Sequence, residues 1–358
     1  MSDARNVALT HARIGKKDEF YTQYEDIKKE MAYHKENLQG KHILCNCDDP
    51  FESAFFRFFL IHFDSLGLSQ LTSTCYADSA SAGGKCDLEK GTNAYKAVVT
   101  EVPDDSLVRP DGSLDLEAVF AMNGNSLEYL SGDGDFRSDE CEGLLKEADI
   151  VVTNPPFSLF REYIGQLERH KKSFIILGNM NAVTYKEVFP LFRNNEVWYG
   201  DSIHSGDRKF YVPDSYPLNA SNCGIDDSGR RFIRVKGVRW FTNLDTKIRH
   251  EQHIELTCRY SPYDYPKYDN YNAIEVGRTK DIPMDYDGIM GVPITFLDKY
   301  SPDQFDIIML AHGSVRANVP SEILAEVGYH PDPKNRVGVG VINGKCVYAR
   351  IMIRRKKS

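Results

Sequence analysis

Ile150-Val151-Val152-Thr153-Asn154-Pro155-Pro156-Phe157 is the stretch on which the reading of the fold turns. Its apolar, β-branched opening reads as a buried strand, and the two prolines end that strand because neither can donate to a sheet ladder. The chain therefore turns at Asn154. Two successive prolines hold a rigid, extended turn, which lets the Asn154 side chain and the Pro155 carbonyl point at one spot beside the Phe157 ring. A fixed pair of acceptors beside an aromatic face is what a planar, amine-bearing base needs. The competing reading is a proline-rich strand exit with a phenylalanine in the core.

Upstream, His42-Ile43-Leu44-Cys45-Asn46-Cys47 reads as a second apolar strand running out into Asp48-Asp49-Pro50. A helix follows, with Phe51, Phe55, Phe56, Phe58, Phe59 and Phe63 at spacings that bury much of its surface. Ligands of open α/β sheets lie beyond the carboxyl ends of the strands, so Asn46, Asp48 and Asp49 stand where a small molecule would sit. Helix capping is their alternative role. Residues 70–76 form another strand and 79–125 read as an insertion, with a strand from Tyr95 and an irregular stretch over 103–125. In Gly132-Asp133-Gly134-Asp135-Phe136-Arg137 the glycines permit tight backbone beside a ligand. Asp135 can accept from the exocyclic amine of an adenine while the Phe136 ring packs on its face. A calcium loop does not fit, because Arg137 takes a ligand position and the required glycine is missing.

Downstream, a helix through Leu159, Phe160, Tyr163, Ile164 and Leu167 leads to a buried strand over 173–179. This alternation implies a mainly parallel sheet. Residues 196–200 and 237–244 would complete it, as an antiparallel pair, and the polar stretch between them could fold over a substrate. At the other end of the chain, residues 1–17 are polar. Asp18-Glu19-Phe20-Tyr21-Thr22-Gln23-Tyr24 then leads into a helix through Ile27, Met31 and His34, capped by Thr22 or Asp26. Its aromatics either pack the helix or cover a bound adenosine. After about residue 250 the chain turns rich in Tyr and Pro, which marks a boundary.

Charged residues make up 27% and hydrophobic residues 41% of the 358, an ordinary soluble composition. No apolar run reaches membrane-spanning length and Met1-Ser2-Asp3-Ala4-Arg5 opens no signal peptide, so a cytoplasmic protein with no membrane partner is expected. The eight cysteines lack Cys-x-x-Cys spacing and indicate neither a metal site nor a disulfide frame. A net charge of −8 argues against a basic coat, so any DNA contact must use a local patch. Arg230, Arg231, Arg234, Lys236 and Arg239 form one candidate, and the basic tail from Arg350 to Lys357 another; both patterns also occur on merely solvated faces.

Taken together, these stretches resemble the S-adenosylmethionine-dependent adenine-specific DNA methyltransferases, most closely the EcoRI-type modification methylases. The resemblance rests on residues 18–24, 45–50, 132–138, 149–163, 184–189, 266–271 and 290–297, and no motif of it falls in 312–340. It implies a Rossmann-like class-I methyltransferase fold of α/β type: a segment over 1–35 closing the cofactor site, a catalytic domain over 36–250 and a DNA target-recognition region over 251–358. It makes Asn154, Pro155, Pro156 and Phe157 the catalytic turn. S-adenosyl-L-methionine would be bound by Phe20, Tyr21, Thr22, Asn46, Asp48, Asp49, Asp135, Phe136 and Asn154. The implied reaction is transfer of a methyl group to N6 of an adenine flipped out of duplex DNA, by a monomer whose system can include a restriction endonuclease without direct complex. Cytosine N4 methylation, glutamine methylation and a non-catalytic DNA-binding module are the alternatives. One departure stands out: the Gly-x-Gly turn common after the first strand of such enzymes is replaced by Cys45-Asn46-Cys47-Asp48-Asp49-Pro50.

Overall fold

The computed structural model describes residues 20–47, 49–77, 94–103, 107–110, 112–214, 216–219, 222–251, 253–313, 315–332 and 338–356. The chain divides into two compact units, Met1–Asn179 with Gly200–Leu244, and Met180–Tyr199 with Asp245–Ser358.

The first unit is built on a mixed sheet. Its strands are β1 (His42–Cys45), β2 (Gln70–Cys75), β3 (Tyr95–Val99), β4 (Ser126–Tyr129), β5 (Ile150–Thr153) and β6 (Ser173–Asn179). After β7 (Trp198–Tyr199), which belongs to the second unit, come β8 (Asp207–Tyr211), β9 (Cys223–Ile225), β10 (Arg231–Lys236) and β11 (Val238–Thr242). Within the unit the sheet runs β4-β3-β2-β1-β5-β6-β11. The central strands β2, β1, β5 and β6 are parallel, while β3, β4 and β11 are antiparallel additions. β5 is buried along its whole length, as expected of a β-branched strand covered on both faces. The chain leaves β1 toward β2 on one side, and the other side of β1 is taken by β5. The sheet therefore changes direction between β1 and β5, and in open α/β sheets that crevice is where ligands bind.

Helices flank this sheet: α1 (Tyr24–Met31), α2 (Ala54–Ile61), α3 (Asp139–Glu147) and α4 (Phe160–Arg169). α4 buries Phe160, Tyr163, Ile164 and Leu167, the set its sequence spacing predicts. Other local details differ. α1 starts at Gln23 with no side-chain cap, so neither Thr22 nor Asp26 serves that role. α2 is capped by Ser53, whose Oγ accepts from the Phe56 amide at 3.0 Å, and Phe51 lies before the helix, against Tyr95. Part of the stretch expected to be irregular is a short helix, Leu116–Phe120, that Asp115 caps. Gly134 has φ +77°, and a Cβ there would meet the Cys75 carbonyl oxygen at 2.5 Å. The tight backbone of Gly132-Asp133-Gly134 thus serves a close approach to the end of β2.

A smaller antiparallel sheet, β8-β10-β9, completes the unit. The second unit has its own core and a sheet of β12 (Ala273–Glu275), β13 (Ile289–Pro293), β17 (Arg350–Arg355) and β14 (Phe305–Ala311), in that order. Tyr268 and Tyr271 belong to that core. The basic tail forms the inner strand β17, and its cations face carboxylates: Arg350 with Glu275, Arg354 with Glu326, Arg355 with Asp287 and Lys356 with Asp306. Those charges are engaged within the unit. No helix among the described residues is long and apolar enough to cross a membrane.

Candidate active site

Asn46 ends β1 and Asn154 ends β5, so the sheet delivers both to the crevice at its switch point. The two are held differently. Asn46 is buried; its side-chain oxygen accepts from the Tyr163 hydroxyl and its main-chain oxygen from the Thr153 hydroxyl. Asn154 donates its amide nitrogen to the Phe20 carbonyl at 2.6 Å, while its side-chain oxygen is buried without a hydrogen-bond partner. A buried acceptor left unpaired costs roughly 1–3 kcal/mol, so a donor brought to this oxygen would recover that cost.

Phe157, three residues further on, belongs to an aromatic cluster. Phe157, 8% exposed, meets the Phe20 ring edge-on at 5.8 Å and the Phe210 ring edge-on at 6.3 Å. Phe20 also lies 5.9 Å from Phe210 and 6.2 Å from Tyr216. Phe210 and Tyr216 come from the polar stretch read as able to fold over a substrate. Sequence reasoning did not single them out, because the pairing of β8 with β10 is what carries Phe210 inward. Tyr21 continues the edge of β8, exchanging backbone hydrogen bonds with Tyr211.

Pro50, five residues past the end of β1, opens onto a cavity of about 830 Å³ lined by residues that include Thr22, Tyr24, Phe51, Arg57 and Tyr211 but neither Asn46 nor Asn154. That volume is ample for a nucleoside-sized molecule. Thr22 is buried and its hydroxyl has no partner. Arg57 donates to the Gly112 carbonyl at 2.7 Å and meets no carboxylate among the described residues. An orphan hydroxyl and an available guanidinium in one cavity fit a ligand with an anionic, hydrogen-bonding end.

Asp49 is placed otherwise than a ligand-facing carboxylate. It is buried, accepts from the Tyr95 hydroxyl at 2.6 Å and the Phe51 amide at 2.8 Å, and has the Cys75 thiol at 3.6 Å. Burial raises its pKa and these hydrogen bonds oppose the rise. Asp48 lies outside the described residues. Asp135 is gripped by Arg137, whose side chain reaches both carboxylate oxygens, at 2.8 and 2.6 Å. That contact holds the Asp135 carboxyl below its usual range. Arg137 also reaches Glu162 on α4. Phe136 is buried edge-on against Tyr163 at 5.1 Å, so Asn46, Tyr163 and Phe136 form one connected set.

The basic cluster separates by strand alternation. Arg234 and Lys236 point outward from β10, Arg234 with its guanidinium 3.4 Å from the Asp207 carboxylate, and Arg230, in the turn before it, stacks on the Tyr211 ring at 3.6 Å. Arg231 turns inward to the Tyr216 carbonyl at 2.7 Å. Arg239 needs correction as a surface cation. It is 3% exposed on β11, with its guanidinium donating to the Val238 and His204 carbonyls, and a phosphate cannot reach it there.

A Rossmann-like sheet with an Asn-Pro-Pro-Phe turn at its switch point defines a class-I methyltransferase. More particularly, the chain belongs to the EcoRI family of adenine-specific methyltransferases, whose model matches residues 8–356, including 312–340. It is 43% identical over 357 residues to the Type II methyltransferase M.EcoRI of Escherichia coli, covering 99% of this chain and 98% of that protein. It is 34% identical over 355 residues to the Type II methyltransferase M.MpnI of Mycoplasma pneumoniae, with 98% of each chain covered. A similar relative is M.MgeORF184P of Mycoplasma genitalium, 34% identical, with 98% of this chain and 99% of that one covered. No solved structure matches. The chain is therefore an enzyme that moves a methyl group from a donor, and its family favours adenine over cytosine, glutamine or a silent binding module.

Proposed function

We propose that the protein methylates N6 of a flipped-out adenine in duplex DNA, with S-adenosylmethionine as donor and Asn154, Pro155, Pro156 and Phe157 as the catalytic turn. The observation that carries this reading is the Asn154 side-chain oxygen, buried and unpartnered on the turn that also bears Phe157. The adenine amine is a poor nucleophile because its lone pair is delocalised into the ring. Hydrogen bonds from that amine to Asn154 Oδ1 and the Pro155 carbonyl favour a more tetrahedral nitrogen with its lone pair directed out of the ring plane. The Phe20 carbonyl assists by holding the Asn154 amide nitrogen, so the oxygen and not the nitrogen faces the amine. The donor, when bound, supplies a methyl on a cationic sulfur that leaves as a neutral thioether. The protein's share is placement and electrostatics, and no covalent enzyme intermediate is needed.

Asp135 and Phe136 suit the adenosine part of the donor, Thr22 and Arg57 suit its amino-acid end, and Asn46, with both oxygens engaged by Tyr163 and Thr153, holds the crevice between strands. Asp49 then acts by shaping the turn after β1. Flipping costs a few kcal/mol, and stacking on Phe157 returns about 1–3 kcal/mol of it. Arg230, Arg234 and Lys236 are the phosphate contacts in this reading, with residues 251–358 reading the target sequence. The protein acts as a monomer in the cytoplasm, within a restriction-modification system. The test is to incubate the protein with duplex DNA and S-adenosylmethionine, digest, and identify modified nucleosides by mass spectrometry. N6-methyladenine is expected; N4-methylcytosine would keep the turn's chemistry and overturn the base.

A further inference from the structure

We infer that Phe20 is a plug: its ring fills the slot where the target base stacks, and it sets how well a base must bind to enter. The inference rests on the base-flipping reading above. Phe20 is 5% exposed and ringed by Phe157, Phe210 and Tyr216, with centroids 5.8, 5.9 and 6.2 Å away. Those are the separations at which aromatic rings attract, so a planar ring already satisfies the walls of the slot. Phe157 is 8% exposed in this arrangement, so no base can stack on it while the rings keep these positions.

The same arrangement covers the acceptor. Asn154 Oδ1 is sealed from solvent and has no partner, while the Phe20 carbonyl fixes its orientation through the amide nitrogen. The segment that follows Phe20 is imperfectly satisfied: the Thr22 hydroxyl and the Gln23 side-chain nitrogen are buried without partners. The closed form is thus good in apolar contact and poor in polar contact. An entering adenine replaces one aromatic ring by another, which is nearly neutral, and adds a donor for Asn154 Oδ1, which is not. A base without an amine at that position exchanges the rings and gains nothing. Phe20 therefore works as a specificity-determining residue, because a site that leaves a buried polar group unpaired rejects ligands lacking the matching group.

The experiment places 2-aminopurine, which has no 6-amine, at the adenine identified as modified by the mass-spectrometric mapping. Its fluorescence in complex with the full-length protein is compared for the wild type, Phe20→Ala, Phe20→Leu and Phe157→Ala. Removing the plug should raise the flipped population, by roughly tenfold for Phe20→Ala, with Phe20→Leu between it and the wild type. The KM for duplex DNA should fall in the same order. Phe157→Ala should change the fluorescence in the opposite direction. Should Phe20→Ala fold poorly, Phe20→Leu carries the same sign test. A fall in fluorescence, or none, at both Phe20 variants would make Phe20 a wall of the slot and overturn the plug. If the wild type forms no N6-methyladenine, the functional reading fails first; if it does and the sign is reversed, only the plug fails.

Discussion

Asn46 and Asn154 end neighbouring parallel strands in one crevice, yet one is tied down on both oxygens and the other keeps its side-chain oxygen unpaired. Tyr163 reaches Asn46 from α4, and Thr153 reaches it from β5 itself. At Asn154 only the nitrogen is engaged. The difference separates an asparagine fixed by both of its oxygens from one whose side-chain oxygen has capacity for a donor.

The largest test of this contrast is Asn154→Ala. Removing the acceptor should reduce methyl transfer on the order of 10³-fold, with binding of S-adenosylhomocysteine by calorimetry nearly intact. The thermal midpoint should change little, because removal of the unsatisfied oxygen is offset by loss of the hydrogen bond to the Phe20 carbonyl. A variant with wild-type turnover would end the assignment of the turn. Tyr163→Phe probes the other asparagine. It leaves Asn46 Oδ1 buried and unpaired, and should lower unfolding stability by about 1–3 kcal/mol in urea, with a smaller loss of transfer than Asn154→Ala. If Tyr163→Phe were neutral for stability, Asn46 would not be the structural member of the pair.

The basic cluster offers a second contrast, between outward and inward arginines on adjoining strands. Arg234→Ala should reduce the slope of log affinity against log salt by about one and leave the fold alone. Arg239→Ala should leave the slope unchanged and lower the thermal midpoint, since two backbone carbonyls lose their donor. Equal slopes for both variants would remove the phosphate role from β10. The smallest effect is expected at Asp49. Its pKa is raised by burial above the ordinary 3.8, so the fold favours the protonated carboxyl more than the unfolded chain does. Stability from this group is present below the ordinary value and is lost as pH rises through the raised one. Asp49→Asn keeps an acceptor for Tyr95 and should be the more stable protein at neutral pH. The advantage should vanish in melts performed below pH 3.8.

The alternation of strands and helices, and a sheet with a mainly parallel centre, were legible because hydrophobic period and proline placement act over a few residues. The turn after β5 was legible for the same reason. Caps were harder: Thr22, Asp26 and Ser53 are all competent residues, and only the path of the chain selects Ser53 and leaves the Thr22 hydroxyl without a partner. The aromatics at Phe20 could be read as covering an adenosine or packing a helix, and the rings that Phe20 meets, Phe157, Phe210 and Tyr216, are drawn from segments far apart in the chain.

By itself the sequence determined the chemistry the chain carries: an amide and an aromatic ring on a rigid turn, an acid beside a second aromatic ring, and the order of strands that bear them. Tertiary structure decided which of those groups are free to act. It tied Asp49 to Tyr95 and Asn46 to Tyr163, buried Arg239, left Asn154 Oδ1 unpaired and set Phe20 over Phe157. The physical reason is that residue type and spacing fix a group's chemistry locally. Its availability depends on partners and solvent exclusion supplied by segments distant in sequence, and only the folded chain brings those together.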